Sequence, residues 1–434
     1  MVEHRDPKRK SIFGPGLLVT AAFIGPGTVV AASTVGARFG TSLLWAVVFA
    51  CVTTIVFQEI AARIGIATGE GLGQSLLRLS KSPVVRGLLC LLVVCAILVG
   101  NAAYQTGNIL GAAAGVEIFS VEPESTVGES VAPESKKANQ PWFRPWVVGA
   151  IGALAIGLIL LNRFALLQSC LTVLVLLMSA LFLLAAGLSM PPLSEVASGL
   201  VPQFPKDSML LVVAVLGTTV VPYNLFLHAS LAARQWGDGD KSAAIKHSRM
   251  DTVLSVLLGG LVTAAILLSA STAFESQRAA GGETEIKGVG DIAVQLKPAI
   301  GDLSKWLFGI GLFAAGLTSA ITAPIAAAYA AAGCFGWPND LGDNRLRLVA
   351  VAVVLAGVVC AILYGGSPQQ AIALAQVANG LLLPVLAILL IVIANRKDLV
   401  GDFSNAKWLN VVAAIVTLIV VVIAISNLKK GLGL

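Results

Sequence analysis

Gly217-Thr218-Thr219-Val220-Val221-Pro222-Tyr223-Asn224 interrupts an apolar run that extends from about Ser208 to Ala233. Such a run is long enough to cross a bilayer, since ~20 residues at about 1.5 Å each span the hydrocarbon core. The proline in its middle lacks the N–H that a continuous helix needs. A second stretch of this kind, Phe23-Ile24-Gly25-Pro26-Gly27-Thr28, lies inside an apolar run from about Ile12 to Phe39. Unwound chain at membrane depth persists only where it is buried in protein or lines a cavity. Paired breaks at matching places in two halves of a chain mark inverted repeats with a solute site between them.

The surrounding sequence supplies the membrane. Of 434 residues, 57% are hydrophobic and only 12% charged, against about 25% charged in an ordinary soluble domain. Apolar runs between polar breaks predict eleven helices, near 12–39, 41–65, 86–114, 145–161, 164–188, 208–234, 249–273, 304–335, 346–364, 367–394 and 407–427. Only Asn162-Arg163 separates the fourth from the fifth. Spans one to five and six to ten enter the bilayer from opposite sides, because five is odd. The expected fold is therefore an all-α polytopic membrane protein, two inverted five-helix repeats plus one helix. A tail (1–11), a first repeat (12–189), a second repeat (208–394) and a final helix with its tail (404–434) divide the chain.

Lys and Arg concentrate in alternate loops, beginning with Arg5, Lys8, Arg9 and Lys10. The positive-inside rule then predicts a cytoplasmic N-terminus and an external C-terminus, in a multi-pass protein of the cytoplasmic membrane. No small-residue cleavage site follows the basic start, so the first span is expected to be retained. The longest loop, roughly 115–144, carries five Glu and three Pro and reads as a solvated external segment, as does 275–302. Cys51, Cys90, Cys95, Cys170, Cys334 and Cys360 lie in or beside apolar runs without a Cys-x-x-Cys, so they read as small packing residues. The formal charge of +6 is accounted for by basic loops and does not call for nucleic acid. No nucleophile–base pair or phosphate loop suggests an enzyme, and no cofactor or protein partner is indicated. The expected partners are a small inorganic ion or solute and the lipid bilayer.

The first, third, sixth, eighth and tenth spans contain no Asp or Glu. Their polar side chains are neutral, Ser319, Thr318 and Thr322 in the eighth and Gln376 and Asn379 in the tenth among them. The substrate site is placed at Gly25, Thr28, Thr218, Val221 and Asn224, with Thr28 and Asn224 the candidate metal ligands because they flank the two breaks. Gln105, Asn108, Tyr223 and His228 form a candidate proton or polar pathway; His228 follows Asn224 by four residues and is placed on the same helix face. Glu59 and Arg63, spaced i,i+4, read as an intrahelical pair away from the route.

Several stretches together resemble the NRAMP family of divalent metal transporters, which have the LeuT fold. They are Gly14-Pro15-Gly16 with Gly25-Pro26-Gly27-Thr28, the run Ala62 to Gly69, Pro222 to His228, Gly311 to Gly316, Leu383-Pro384 and Arg396 to Gly401. The resemblance implies the LeuT-like fold and metal transport, and it also exposes departures. The family's first-helix Asp-Pro-Gly-Asn binds metal through its Asp and Asn, where this chain has Gly25 and Thr28. Its sixth-helix Ala-x-x-Met-Pro-His-Asn is matched with Thr218, Val221 and Tyr223 at the Ala, Met and His positions. The third-helix acids linked to proton movement align with Gln105 and Asn108, and a tenth-helix glutamine aligns with Leu382, with Gln376 retained upstream.

Loss of the soft thioether removes a basis for choosing manganese or iron, and loss of the carboxylate removes the countercharge for a bare dication. Three readings follow. An atypical branch of the family would move a divalent cation by alternating access, either a largely hydrated Mg²⁺ or Mn²⁺/Fe²⁺ with altered selectivity. A LeuT-fold carrier would instead take a neutral or anionic small solute, drawn to uncompensated half-helix N-termini. The last is a non-transporting sensor on the same scaffold.

Overall fold

The computed structural model describes residues 14–16, 24–119, 144–161, 165–237, 239–280, 286, 288–338, 342–364 and 366–431. The N-terminal tail, most of the first span before Ile24, the acidic stretch 120–143 with Glu122, Glu124, Glu129 and Glu134, Asn162-Arg163 and residues 281–285 lie outside them.

The long helices are α1 (Pro26–Phe39), α2 (Leu44–Thr68), α3 (Pro83–Glu117), α4 (Pro145–Leu161), α5 (Ala165–Leu188), α6 (Met209–Thr219), α7 (Pro222–Trp236), α8 (Lys241–Ala273), α9 (Ser304–Phe335), α10 (Asn344–Tyr364), α11 (Pro368–Ala394) and α12 (Lys407–Gly431). Nine helical stretches among the described residues are long and apolar enough to cross a membrane, counting α6 with α7 as one, and α4 adds a shorter apolar helix. With α1 as the described part of the first span, the eleven expected spans are accounted for. The chain is a nearly all-helical, multi-pass membrane protein.

Packing follows the two-repeat plan. α1, of the first span, lies along α8, the seventh, and α7, of the sixth, lies along α2, the second. The third span, α3, packs on the tenth, α11, as the eighth, α9, packs on the fifth, α5. Moving every partner five spans along the chain converts one contact of each pair into the other. The most extensive contact, α3 against α9, joins the third and eighth spans and maps onto itself. Helices in lipid gain little from burying apolar surface against one another, so close approach over small residues must hold such pairs. Gly217 on α6 shows how close: a β-carbon there would overlap the Gln376 carbonyl oxygen and lie 2.7 Å from the Gly380 nitrogen, both on α11.

The segment 275–302 differs from the solvated loop that its charges suggest. It contains short helices at Glu275–Ala279, Val289–Ile292 and Lys297–Ile300 and a 3-10 turn at Ala293–Leu296. Val289, Ile292, Ala293 and Leu296 are buried, and the Gln295 side chain accepts a hydrogen bond from Ser269 Oγ at 3.2 Å. Pieces this short carry too few residues to display a helical period, and the flanking charges dominate their composition.

Charge gathers at the end of the bundle where α2 finishes and α8 begins. Glu59 and Arg63 do pair on α2, at 3.1 Å, yet neither is confined to that helix. Glu59 also receives Arg249 Nη2 of α8 at 2.8 Å, while Arg63 donates to the Phe403 carbonyl and to Asn405 Oδ1 in the link before α12. Two residues along α8, Asp251 accepts the backbone N–H groups of Gly14 and Gly16 at 3.0 and 2.6 Å.

The Gly217 contact yields a direct check. Gly217→Ala forces backbone apart and is expected to cost about 3 kcal/mol, the upper range for overpacking. Gly149→Ala, which meets nothing within 4 Å, is expected to leave folding unchanged. Size-exclusion profiles and melting temperatures in detergent compare the two.

Candidate functional site

The second break lies wholly in the described residues, and the first from Ile24 onward. α6 ends at Thr219, Val220 and Val221 leave the helix with ψ of 75° and 120°, and α7 restarts at Pro222. Pro222 has no N–H, so the Thr218 carbonyl loses the donor that a continuous helix would offer it. On the first span, Gly25 is extended (φ −116°, ψ −173°) and α1 begins at Pro26. No side chain caps the start of α1 or α7. Both helices begin with a proline, which has no N–H, and in α7 the Asn224 N–H donates to the Val221 carbonyl at 3.0 Å, so what each start turns to the interior is chiefly the positive end of its dipole.

The sequence-predicted residues divide by what surrounds them. Thr28 and Thr218, 190 residues apart, share a hydrogen bond between hydroxyls at 2.7 Å, fully buried. This contact ties the start of α1 to the end of α6. Gly25 faces Ser319 of α9 and Tyr104 of α3: an added β-carbon would lie 3.0 Å from Ser319 Oγ and 3.8 Å from the Tyr104 hydroxyl. Tyr104 in turn meets Tyr223 edge-on, ring centroids 5.3 Å apart. Asn224 is fully buried, and neither its oxygen nor its nitrogen has a protein partner. Val221 is buried at the N-cap of α7.

The four pathway candidates differ in their partners. Gln105 Nε2 donates to the Ala320 carbonyl at 2.9 Å and so fastens α3 to α9, while Asn108 Nδ2 donates to Gln105 Oε1 at 3.4 Å within α3. His228 turns its Nδ1 to Gln58 Oε1 of α2 at 2.8 Å, leaving Nε2 without a protein partner. Tyr223, next to Pro222 in the second break, meets Tyr104, whose hydroxyl lies near Gly25 of the first.

Two residues missing from the predicted set belong to this chamber. Gln376 of α11 lays its side chain against Gly27 at the first break, and its backbone carbonyl meets Gly217 on the half-helix before the second. Leu382, the aligned tenth-span position, instead packs on Gly100 of α3. Ser319 is the other. Both appear in the sequence as neutral residues in apolar spans, a pattern that interhelical hydrogen bonding produces equally well. Among the described residues no three His, Cys, Asp or Glu side chains come together, and the groups nearest Gly25 and Gly27 are neutral. What the arrangement offers a solute is uncharged oxygen and N–H.

Replacing Thr28 by valine takes away the hydroxyl that the buried Thr218 Oγ1 meets. Thr28→Val alone is expected to cost about 1–3 kcal/mol, whereas Thr28→Val with Thr218→Val costs less than the sum of the two singles. Thermal unfolding of the four proteins measures the coupling; strict additivity would show that the bond does not join the half-helices.

Comparison with known proteins gives the family and the fold. A family described as natural resistance-associated macrophage protein-like (Nramp) matches residues 16–429. The chain is 31% identical over 418 residues to divalent metal cation transporter MntH 1 of Pseudomonas aeruginosa, covering 94% of this chain and 89% of that protein. It is 27% identical over 425 residues to MntH of Bradyrhizobium diazoefficiens, covering 96% and 88%. Among solved structures, the Eremococcus coleocola manganese transporter superposes with a TM-score of 0.71 at 21% identity, over 98% of this chain and 89% of that one. MhsT, solved in complex with L-phenylalanine, superposes with a TM-score of 0.60 at 16% identity, over 94% and 98%. The fold is the LeuT-like one, and the chain belongs to the Nramp family.

Proposed function

We propose that this protein is a secondary transporter that moves a divalent metal cation across the membrane by alternating access, without enzymatic chemistry. The buried Asn224 amide carries the reading. It sits in the first turn after the second break, and neither polar atom is used by the protein. An orphaned amide in a membrane interior is costly unless a ligand completes it. The Thr218 carbonyl and the Thr28 hydroxyl add neutral oxygen near the breaks, and the curated relatives named above are divalent metal cation transporters.

The donor set points to how the ion is held. Neutral oxygen suits hard cations, and Val221 offers no soft sulfur at the second break. Without a carboxylate to balance a stripped dication, the ion is carried with much of its water, a mode that favours Mg²⁺ and admits Mn²⁺. The N-terminus is placed in the cytoplasm, as the distribution of Lys and Arg implies.

A second reading rests on the starts of α1 and α7, which no side chain caps and whose positive dipole ends would attract a carboxylate or inorganic anion. Purified protein in liposomes separates the two. Uptake of Mg²⁺ or Mn²⁺, reported by a metal-sensitive dye, is expected, with no uptake of labelled amino acids or inorganic anions. Anion or amino-acid uptake without cation uptake would replace the proposal with the second reading.

A further inference from the structure

The connection between α2 and α3 is held by two guanidinium groups that come from different parts of the chain. Arg396, in the link after α11, donates Nη1 to the Leu79 carbonyl at 3.0 Å. Arg86, near the start of α3, donates Nε to the next carbonyl, that of Ser80, at 2.5 Å. Arg396 turns its other two nitrogens to Asp398, Nε at 2.8 Å and Nη2 at 2.7 Å, and the nearby Glu70 is taken by Arg78 at 3.0 Å. Arg86 keeps both terminal nitrogens unused. Lys81 follows Ser80 and Lys397 follows Arg396, and all three of these cations are exposed. Among the described residues no carboxylate pairs with any of them.

An apolar pocket lies beside this cluster. The short helix Leu72–Leu77 contributes Leu72 and Leu76, α7 contributes Phe226, and α11 contributes Leu386, Leu389 and Ile393. Every side chain lining it is apolar. Leu76 stands three residues before Leu79, and Ile393 three before Arg396, so the Leu79–Arg396 bond spans two walls of the pocket at one end. Leu389 is half-buried, and Ile388 and Val392 beside it are 51% and 44% exposed, so this stretch of α11 faces lipid. The start of α3 also stands clear of the bundle. Pro83 to Leu88 are exposed without interruption, more than a full turn, and a β-carbon on Gly87 would meet nothing within 4 Å.

From this juxtaposition we infer that this end of the bundle is a binding site for one anionic phospholipid, its phosphate on Arg86 with Lys81 and Lys397, and an acyl chain entering the pocket past Leu389. The inference goes beyond the transport reading and does not depend on which solute is carried. Unpaired cations at a membrane interface repel one another, and an anionic headgroup relieves that repulsion. The Arg86 fork suits a phosphate: its Nε bond fixes the plane of the guanidinium and leaves two parallel N–H donors. A zwitterionic headgroup would bring its own ammonium against the two lysines. A free phosphate would satisfy the charge and leave the apolar pocket unfilled.

Native mass spectrometry of the purified protein, titrated with phosphatidylglycerol or with phosphatidylcholine of the same chains, tests the inference. The parent is expected to bind phosphatidylglycerol about tenfold more tightly, and Lys81→Gln/Arg86→Gln/Lys397→Gln is expected to lose that preference. Lys246→Gln, which removes an exposed lysine of α8, is expected to retain it. No preference in the parent, an undiminished preference in the triple variant, or the same loss in Lys246→Gln would overturn the site. Two further arms address the chain. Leu389→Trp fills the mouth of the pocket without altering charge and is expected to weaken phosphatidylglycerol binding. Glycerol phosphate, a headgroup without chains, is expected not to displace the lipid at equal concentration. Full binding by Leu389→Trp, or displacement by glycerol phosphate, would overturn the placement of a lipid chain in the pocket.

Discussion

Proline cannot donate a backbone hydrogen bond, and Pro222 stands in the middle of a span that would otherwise cross the membrane unbroken. In lipid, the unwound turn that follows would be prohibitively costly, so it exists only because the bundle closes around it. Val220 and Val221 are fully buried, α11 presses its backbone against Gly217, and the Thr28–Thr218 bond ties the end of α6 to the start of α1. The first break, at Gly25-Pro26, is enclosed in the same way by α3, α9 and α11. Two interruptions that would each be untenable alone are made tolerable by one shared interior.

That interior is neutral, and the contrast with the rest of the bundle gives this its meaning. Charge is not excluded from the structure as a whole. Glu59 and Arg63 pair while buried at one end, the exposed Arg249 joins Glu59 there, and Asp251 holds the start of the first span by accepting its backbone N–H groups. A charge moved into a dry interior must be paired or it becomes very costly. The chain has placed its pairs where helices meet near the end of the bundle and left hydroxyls and amides around the breaks. A site built this way discriminates by hydrogen bonding to a solvated or uncharged solute rather than by countercharge.

Much of this was legible in the residues. The apolar runs locate α4 and α9 at their observed ends, because an abrupt change from polar to apolar sequence is the boundary that a bilayer enforces. The breaks follow from Pro26 and Pro222, whose missing N–H is a local property. Family resemblance is equally visible in the motifs around them. What a single sequence does not carry is which neutral side chain faces which. Thr28 and Thr218 flank their own breaks, but their bond depends on how two distant helices rotate. Gln376 and Ser319 belong to spans in which a lone polar residue has no period to set its direction. His228 follows Asn224 by one helical turn, and nothing local announces that its ring is held by Gln58 of another helix. Gln105 bonds across to the Ala320 carbonyl of α9 and Asn108 bonds to Gln105 within α3, partners that depend on helix rotation.

The central claim is that a solute is held by peptide groups and neutral side chains where the first and sixth spans come apart. Anomalous scattering from crystals grown or soaked with Mn²⁺ tests it most directly. The account predicts an anomalous peak between the two breaks, within reach of Thr28 and Asn224 and separated from much of the surrounding protein by ordered water. A peak confined to the carboxylates of Glu59 or Asp251, with nothing between the breaks, would contradict it.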